Sequence, residues 1–370
     1  MILNKSKQYF TFYKIAVILF FLVTNFRFYS AIKFDQITNI YYFLLVINLI
    51  LFFGSYFLIP FTSQRIKILT LLIFLILYGL YFKDYAILYA SLYCLLLSVF
   101  TIEEIVQITF VAYLITFVSL ALLSLCGILP LYYDNGKSGT ISYSGLLLGF
   151  SFKNTTGYFL LFLILSLAIL TNNRILIYIL TFVSIYVEFY LIKDRTAAII
   201  LIMFLVIYFF KKQKIKLKIL YNTLFLFPLI LIMISFILIK MWSTGTETIR
   251  VINDLLSGRV YIWNMEWTLY SPRLFPQLIG VGNFYDPSSQ IPLDGFFALS
   301  PLQDGILYFV FIIILLMTAI KKILKKNNYN LLICFIFLMI CGFTEMIPLS
   351  SISWLLPISF ICLFSNESEK

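Results

Sequence analysis

The chain has 370 residues, of which 62% are hydrophobic and only 12% charged, and its mean hydropathy is +1.02. Soluble domains are about 45–50% apolar, so this composition excludes a water-soluble fold and predicts an integral membrane protein. We attribute the formal net charge of +11 to lysines in cytoplasmic loops rather than to nucleic-acid binding. Histidine is absent, which excludes a Ser/His/Asp relay and any histidine-ligated metal.

Hydrophobic runs of nearly bilayer length recur along the whole chain. A hydrocarbon core about 30 Å thick needs about 20 apolar residues per helix. Charges, prolines and polar residues separate the runs, which predict an all-α polytopic membrane protein with about 12 transmembrane helices: 14–29, 40–59, 66–82, 85–101, 105–129, 156–170, 174–192, 196–210, 219–239, 306–320, 329–347 and 352–364. Because no repeat or soluble domain interrupts them, we expect residues 1–370 to form a single membrane domain.

Basic clusters orient the predicted bundle. Lysines crowd the connections 211–218 and 321–328, and cytoplasmic loops are the ones that retain lysine and arginine. With both connections inside, twelve spans place the N- and C-termini in the cytoplasm and segments 130–155 and 240–304 outside the cytoplasmic membrane. The second segment is far longer than a typical connection of about 4–6 residues. It is therefore predicted to be one large external loop containing short helices.

Residues 246–270 of this loop are rich in helix-compatible residues. Ser257 is placed to cap a helix that runs to Tyr270. At helical spacing, four residues share one face of that helix: Arg259, Trp263, Glu266 and Tyr270. This face either belongs to a functional site or lets the helix rest against the membrane or the bundle. Since a helix dipole disfavours a cation in the first turn, Arg259 is expected to meet an anion, either a diphosphate or a carboxylate.

Ionisable residues also stand near the ends of apolar runs, where they are costly. Arg195 follows Asp194 at the mouth of the predicted eighth helix, and Glu188 lies one to two turns deeper in the preceding helix. Arg195 either pairs with one of these acids or belongs to a substrate site. Glu345 either pairs with an arginine of the large loop or marks a helix end in solvent.

The motifs of the large loop, taken in order, resemble those of a known family. Ser257-Gly258-Arg259 is followed by Trp263, by Ile-Gly-Val-Gly-Asn-Phe at 279–284, and by Asp-Gly-Ile-Leu at 304–307. Asp-Arg-Thr-Ala at 194–197 is similar to a second arginine site, and 149–157 to a polar segment before a middle helix. Over residues 144–316 the chain resembles the O-antigen polymerase and ligase superfamily (Wzy-type).

The resemblance implies a glycosyltransferase that transfers a growing glycan from undecaprenyl diphosphate to the next lipid-linked repeat unit, on the outer face of the membrane. Ligase members carry a histidine in the second half of the loop, where this chain has Asp294, which favours a polymerase of capsule, exopolysaccharide or O-antigen. Negative charge develops on the diphosphate, and Arg195 and Arg259 are expected to stabilise it. A carboxylate that accepts the attacking hydroxyl's proton would complete the site, and Asp294, Glu266 and Asp304 stay open as candidates.

Further substrate contacts are expected from a set of loop and helix-end residues: Arg250, Arg273, Trp263, Gly280, Gly282, Asp304 and Lys153. No carboxylate pair of metal-site type is evident, so we predict a reaction without metal or cofactor, although a Mg²⁺ held partly by the diphosphate would leave no such pattern. The expected partners are lipid-linked oligosaccharide, membrane lipids, and a chain-length regulator and flippase of the same pathway.

Other classes of function remain open from the sequence. A flippase or transporter of lipid-linked oligosaccharides would also have around twelve helices, but it should line a central path with charges and often shows related halves. An O-antigen-ligase-like transferase would share the loop motifs. A membrane sensor or assembly scaffold would use the loop to bind a protein. The external clustering of charges favours the polymerase.

Overall fold

The computed structural model describes residues 2–25, 34–58, 63–132, 145–150, 153–210, 223–277, 279, 294–345, 349 and 353–364. Within these ranges the regular structure is helical, and the only strand-like pairing is an isolated bridge between Tyr132 and Leu146. The helices are α1 Ile2–Asn25, α2 Phe34–Leu58, α3 Ser63–Phe82, α4 Tyr85–Leu97, α5 Ile102–Leu125, α6 Lys153–Leu170, α7 Arg174–Tyr186, α8 Arg195–Phe210, α9 Phe227–Trp242, α10 Glu247–Leu255, α11 Arg259–Leu269, α12 Phe296–Gln303, α13 Ile306–Lys325, α14 Tyr329–Thr344 and α15 Leu355–Phe364. The prediction of an all-α protein is confirmed.

Apolar helices make up most of the described chain. Among the described residues, six stretches are long and apolar enough to cross a membrane: Gln8–Asn25, Arg65–Phe82, Ile102–Leu125, Arg174–Ile192, Leu224–Trp242 and Ile306–Lys325. The other apolar helices have 10–17 residues, fewer than the roughly 20 that a hydrocarbon core needs. Each of the twelve predicted runs overlaps a helix, but twelve crossings and their orientation stay a prediction.

The chain folds as two compact units. The first comprises Met1–Ile66 and Leu95–Phe210, and the second comprises Lys67–Cys94 and Lys211–Lys370. In the first unit, α1 packs against α2 and α5, and α5 packs against α6. Tyr113 of α5 lies against the rings of Phe159 and Phe162 of α6, with ring centroids 4.3 and 4.1 Å apart. Aromatic side chains therefore fill the interface of these two helices.

In the second unit, three short helices between residues 240 and 304 rest on the apolar helix α9. Buried apolar side chains join α9, α10, α11 and α12: Leu238, Ile239, Ile249, Val260, Trp263, Ile279, Ala298, Leu299 and Leu302. On α11, Arg259, Trp263 and Glu266 are all buried, as their shared helical face predicted. The remaining helices of this unit include α13, which packs against α14 and α15. The region predicted to carry the function is thus well packed.

The predicted cap of α11 is wrong. Helix α11 begins at Arg259, and the residue before it is Gly258, with φ +85 and no side-chain cap. Ser257 is itself left-handed, with φ +56. The end of α10 causes this, because the Gly258 N–H donates to the Asn253 carbonyl at 2.8 Å in a turn of the Schellman kind. The closing of α10, rather than a serine cap, determines where Arg259 stands.

Candidate functional site

A buried ionic cluster lies at the start of α11, within the second unit. The Arg259 side chain is 4% exposed, and its Nη2 donates to Asp294 Oδ2 at 3.3 Å and to Glu345 Oε1. Its Nη1 donates to the Leu256 carbonyl at 3.2 Å. The anion that is expected beside Arg259 in the first turn of the helix is therefore a pair of carboxylates. Of the two interpretations of Glu345, pairing with a loop arginine is confirmed.

Trp263 holds the Asp294 segment in place. Its Nε1 donates to the Asp294 carbonyl at 2.6 Å, and its fully buried ring meets that of Phe343 edge to face, with centroids 5.4 Å apart. Gly295 packs directly on the indole, since a Cβ there would lie 2.7 Å from the ring, and its φ is +102. Only glycine tolerates both that contact and that backbone. The Trp263 indole and Gly295 thus position the Asp294 carboxylate beside Arg259.

The carboxyl groups of α11 and the Asp294 segment have different surroundings. Glu266 lies two turns along α11 and is fully buried. Asp294 keeps 25% of its side chain exposed. Burial raises the pKa of the Asp294 carboxyl, although the Arg259 charge and hydrogen bond pull it down. A partly exposed carboxylate with a raised pKa is better suited than Glu266 to take a proton from an entering hydroxyl.

Asp304 belongs to a separate acidic pair in the same unit. It is 4% exposed and accepts a hydrogen bond from Ser300 Oγ at 2.6 Å, while its Oδ1 has no hydrogen-bond partner among the described residues. Asp84 caps α4 by accepting from the N–H groups of Ala86 and Ile87. Burial, followed by the charge of Asp84, raises the pKa of Asp304 to about 8. Asp304 is thus protonated at neutral pH and is a poor proton acceptor there.

We expect the stability of the protein to fall as pH rises from about 4 to about 8, because an unfolded Asp releases its proton near pH 3.9 whereas folded Asp304 keeps it until about 8. Asp304→Asn should remove this slope, and its amide oxygen can still accept from Ser300. Thermal unfolding of the detergent-purified protein from pH 5 to 9 measures this slope. The stability of the variant relative to wild type should increase up to about pH 8 and stay constant above it. Asp254→Asn, at an exposed acid, is the matched control. Parallel curves for wild type and Asp304→Asn would contradict the prediction.

The two remaining arginines of the predicted substrate set are exposed. Arg250 lies on α10, and Arg273 lies in the segment between α11 and α12. The Arg273 carbonyl accepts from the Ile306 N–H at 2.8 Å, which ties this segment to the start of α13. Neither guanidinium takes part in the Arg259 cluster. Gly280 and Gly282 lie outside the described residues.

Arg195 is the first residue of α8, in the first unit, and its side chain is exposed. It forms no ion pair with Asp194 or Glu188, so the local pairing considered from the sequence is wrong. Asp194 instead caps α8 through the N–H groups of Thr196 and Ala197. Lys153 begins α6. A common site for Arg195 and Arg259 stays a prediction.

Sequence reasoning missed one acid of this region, Asp84. Its position in the short break between two apolar runs, directly before a helix, is the signal that could have singled it out. Across the described part of the chain, no three or more His, Cys, Asp or Glu side chains are grouped closely enough to hold a metal ion.

Comparison with protein-family models, with curated proteins and with solved structures finds no match to this chain. Its function is therefore inferred from the site residues and from the resemblance of its motifs.

Proposed function

We propose that the chain is a polysaccharide polymerase of the cytoplasmic membrane, a glycosyltransferase that uses polyprenyl-diphosphate-linked oligosaccharide. It transfers a growing glycan from undecaprenyl diphosphate to the next lipid-linked repeat unit on the outer face. The observation that carries this proposal is the cluster of Arg259, Asp294 and Glu345, in which a guanidinium and a partly exposed carboxylate meet. Transfer from a diphosphate needs a cation for the leaving group and an acceptor for one proton.

The chemistry of the transfer assigns a role to each member of the cluster. A hydroxyl of the incoming unit attacks the anomeric carbon of the growing glycan, and the bond from that carbon to the diphosphate oxygen breaks. The hydroxyl proton passes to a carboxylate, for which Asp294 is our choice, and Arg259 stabilises the charge that develops on the diphosphate. Glu345 keeps the guanidinium in place and does not touch the substrate.

An exchange of partners on Arg259 would link substrate binding to base activation. Asp294 lies 3.3 Å from Nη2, on the long side of hydrogen-bond range. A diphosphate oxygen can replace it there, because charge-assisted bonds from a guanidinium to phosphate are strong and directional. Asp294 would then lose the cation that lowers its pKa and become a better proton acceptor. Glu345, with its more buried side chain, would stay bound.

The proposed topology has about twelve crossings, with both termini in the cytoplasm and residues 240–304 outside. Six long apolar helices and six shorter ones support it, as do the lysines of 211–218 and 321–328. In this orientation the Arg259 cluster lies on the outer side, where lipid-linked repeat units are joined. A chain-length regulator and a flippase of the same pathway are the expected protein partners.

The purified protein should convert synthetic undecaprenyl-diphosphate repeat units into a ladder of longer glycans. Asp294→Asn should slow chain growth by about 10²–10⁴-fold, the usual contribution of a general base, and leave the fold intact because Trp263 bonds the main chain of Asp294 and not its carboxylate. Arg195→Ala should also abolish chain growth, whereas Lys212→Ala should not. If wild-type protein forms no ladder with the correct repeat unit, the polymerase hypothesis is wrong. If Asp294→Asn supports normal glycan chain growth, Asp294 is not the general base.

A transporter of lipid-linked oligosaccharides is the second candidate. One observation favours it: Glu188 and Asp194 are buried acids at an apolar helix hairpin of the first unit, and such residues often mark ion or substrate paths in transporters. Reconstituted vesicles containing a fluorescent lipid-linked repeat unit separate the two functions. If the lipid moves between leaflets and the glycan is not lengthened, the protein is a transporter and not a polymerase.

A further inference from the structure

A second tryptophan of α11 bonds to the segment that carries Asp294. Trp263 Nε1 donates to the Asp294 carbonyl at 2.6 Å, and Trp267 Nε1 donates to the Ala298 carbonyl at 2.8 Å. The two donors are four residues apart on α11, and the two acceptors are four residues apart along the segment that enters α12. Four residues of an α-helix advance by about 6 Å. The two bonds therefore join α11 to this segment at two points about one helical turn apart.

Both indoles stand on a helix that is fixed to α9. The Trp267 ring meets Phe236 of α9 edge to face, with ring centroids 4.9 Å apart. Asn264 lies between the two tryptophans, and its Nδ2 donates to the Ile239 carbonyl of α9 at 3.0 Å. A single hydrogen bond would let α12 pivot about it, whereas a second bond one turn away also fixes the direction of the segment. The indoles thus act as two fixed points for α12.

The position of Ala298 is coupled to that of Asp294 through Gly295. The N–H groups of Ala298 and Leu299 donate to the Gly295 carbonyl at 3.2 and 3.0 Å, so the first turn of α12 and Gly295 move together. Asp294 Oδ2 lies 3.3 Å from Arg259 Nη2, on the long side of hydrogen-bond range. A displacement of a few tenths of an ångström in the segment would therefore weaken the contact between Asp294 and Arg259.

We propose that Trp267 is a positioning residue for the Asp294 carboxylate. Together with Trp263 it forms a clamp of two indoles that sets how far α12 extends along α11, and so how close Asp294 comes to Arg259. Trp267 lies eight residues beyond Arg259, about 12 Å along the axis of α11, so it acts through the segment and not on the reacting groups. Its effect on catalysis rests on the glycosyl transfer proposed above, whereas the clamp itself does not.

A double-mutant cycle tests the clamp without any measurement of activity. Trp267→Phe keeps an aromatic ring against Phe236 and loses the indole N–H. Asp294→Asn removes the charge of the ion pair and leaves the main-chain bond from Trp263. The free energy of unfolding is measured in mixed micelles for wild type, the two single variants and the double variant. Trp267→Phe should cost less in the Asp294→Asn background, because no ion pair with Arg259 is left there to weaken.

The matched control for this cycle is Trp242→Phe. Trp242 is a partly buried tryptophan at the end of α9, and its ring lies against that of Tyr261, with centroids 5.7 Å apart. Because its ring contact is with Tyr261, its effect on stability should add to that of Asp294→Asn. If the effects of Trp267→Phe and Asp294→Asn also simply add, Trp267 does not act through Asp294 and the proposal is overturned.

The kinetics of the glycan ladder test the effect on catalysis. In Trp267→Phe, kcat should fall by about 10- to 100-fold and KM should change little, because a misplacement of about 1 Å at a reacting group can cost about 10²-fold. Trp242→Phe should keep the wild-type kcat. If wild type forms no ladder, the proposed polymerase fails, and the stability cycle alone decides whether the clamp exists.

The pH profile separates positioning of the base from a general loss of structure. The charge of Arg259 lowers the pKa of Asp294, so a looser contact raises it. Activity is lost where the base becomes protonated, and the acidic limb of kcat/KM should therefore move to higher pH in Trp267→Phe. The other charged groups on the surrounding elements, Glu266 of α11 and Glu345 at the end of α14, are unchanged by this variant. An acidic limb at the wild-type pH would overturn the positioning role.

Discussion

Replacing Arg259 with alanine is expected to abolish glycan chain growth and to lower the free energy of unfolding by about 3–5 kcal/mol. The guanidinium is the only described cation that meets Glu345 and Asp294. Without it, the buried Glu345 carboxylate loses the cation that it pairs with, and the segment that carries Asp294 loses its ion pair to α11 while the hydrogen bond from Trp263 remains. Unfolding in mixed micelles and the glycan ladder measure the two effects separately.

A double variant separates the structural role of Arg259 from its role in the reaction. Arg259→Ala with Glu345→Ala removes both members of the buried pair, which is usually far less costly than removing one. Stability should largely return, and chain growth should not, because no cation remains for the diphosphate. Arg259→Lys should keep partial stability with reduced growth, since lysine lacks the planar fork. Arg250→Ala, at an exposed arginine of α10, is the stability control. Chain growth by the double variant would show that Arg259 is purely structural.

Gly295→Ala is expected to cost about 2–5 kcal/mol of stability, from an unfavourable backbone conformation and from overpacking. The new Cβ would lie 2.7 Å from the Trp263 indole, which is fully buried and bonded to the Asp294 carbonyl. The ring and the Asp294 segment would have to separate. Chain growth should fall with stability, and the fluorescence of the buried tryptophan should report the displacement.

The matched control for this variant is Gly245→Ala. Gly245 also has positive φ, +64, but a Cβ there would meet nothing within 4 Å. Gly245→Ala should lower the free energy of unfolding only by the cost of the left-handed backbone conformation, about 1–2 kcal/mol, and chain growth should be normal. Equal losses of stability in the two alanine variants would mean that the contact between Gly295 and Trp263 has no energetic weight.

The positions of the helices could be predicted from the sequence because hydropathy is a local property. Each of the twelve apolar runs overlaps a helix, and Arg259, Trp263 and Glu266 share the buried face of α11 as their spacing predicted. Ser257 was wrongly predicted as a cap for a reason that is not local to its own helix. The end of α10 closes through Gly258 and leaves Ser257 in a left-handed conformation.

The composition of the sites could not be predicted in the same way. Arg259 and Glu345 are 86 positions apart, and the residues around each of them in the sequence do not indicate that the two side chains form a pair. Burial, followed by the charge of Asp84, raises the pKa of Asp304, and Asp84 lies far earlier in the chain. Six residues separate Glu188 from Asp194, a spacing that does not put two side chains on the same face of a regular α-helix. The π-helix Val187–Ile192 and the absence of a side chain at Gly157 of α6 bring them together.

By itself, the sequence of this protein determined its class: an apolar, histidine-free, all-α chain with helices long enough to cross a membrane and short helices late in the chain. Composition and periodicity suffice for that because each helix is recognised from its own residues. Only the tertiary structure decided which charges meet, since burial makes an ion pair or a carboxylate pair energetically decisive and burial arises from packing between distant segments. Arg259 could therefore be recognised as a candidate from the sequence, whereas its pairing with Asp294 and Glu345 is seen only in the folded structure.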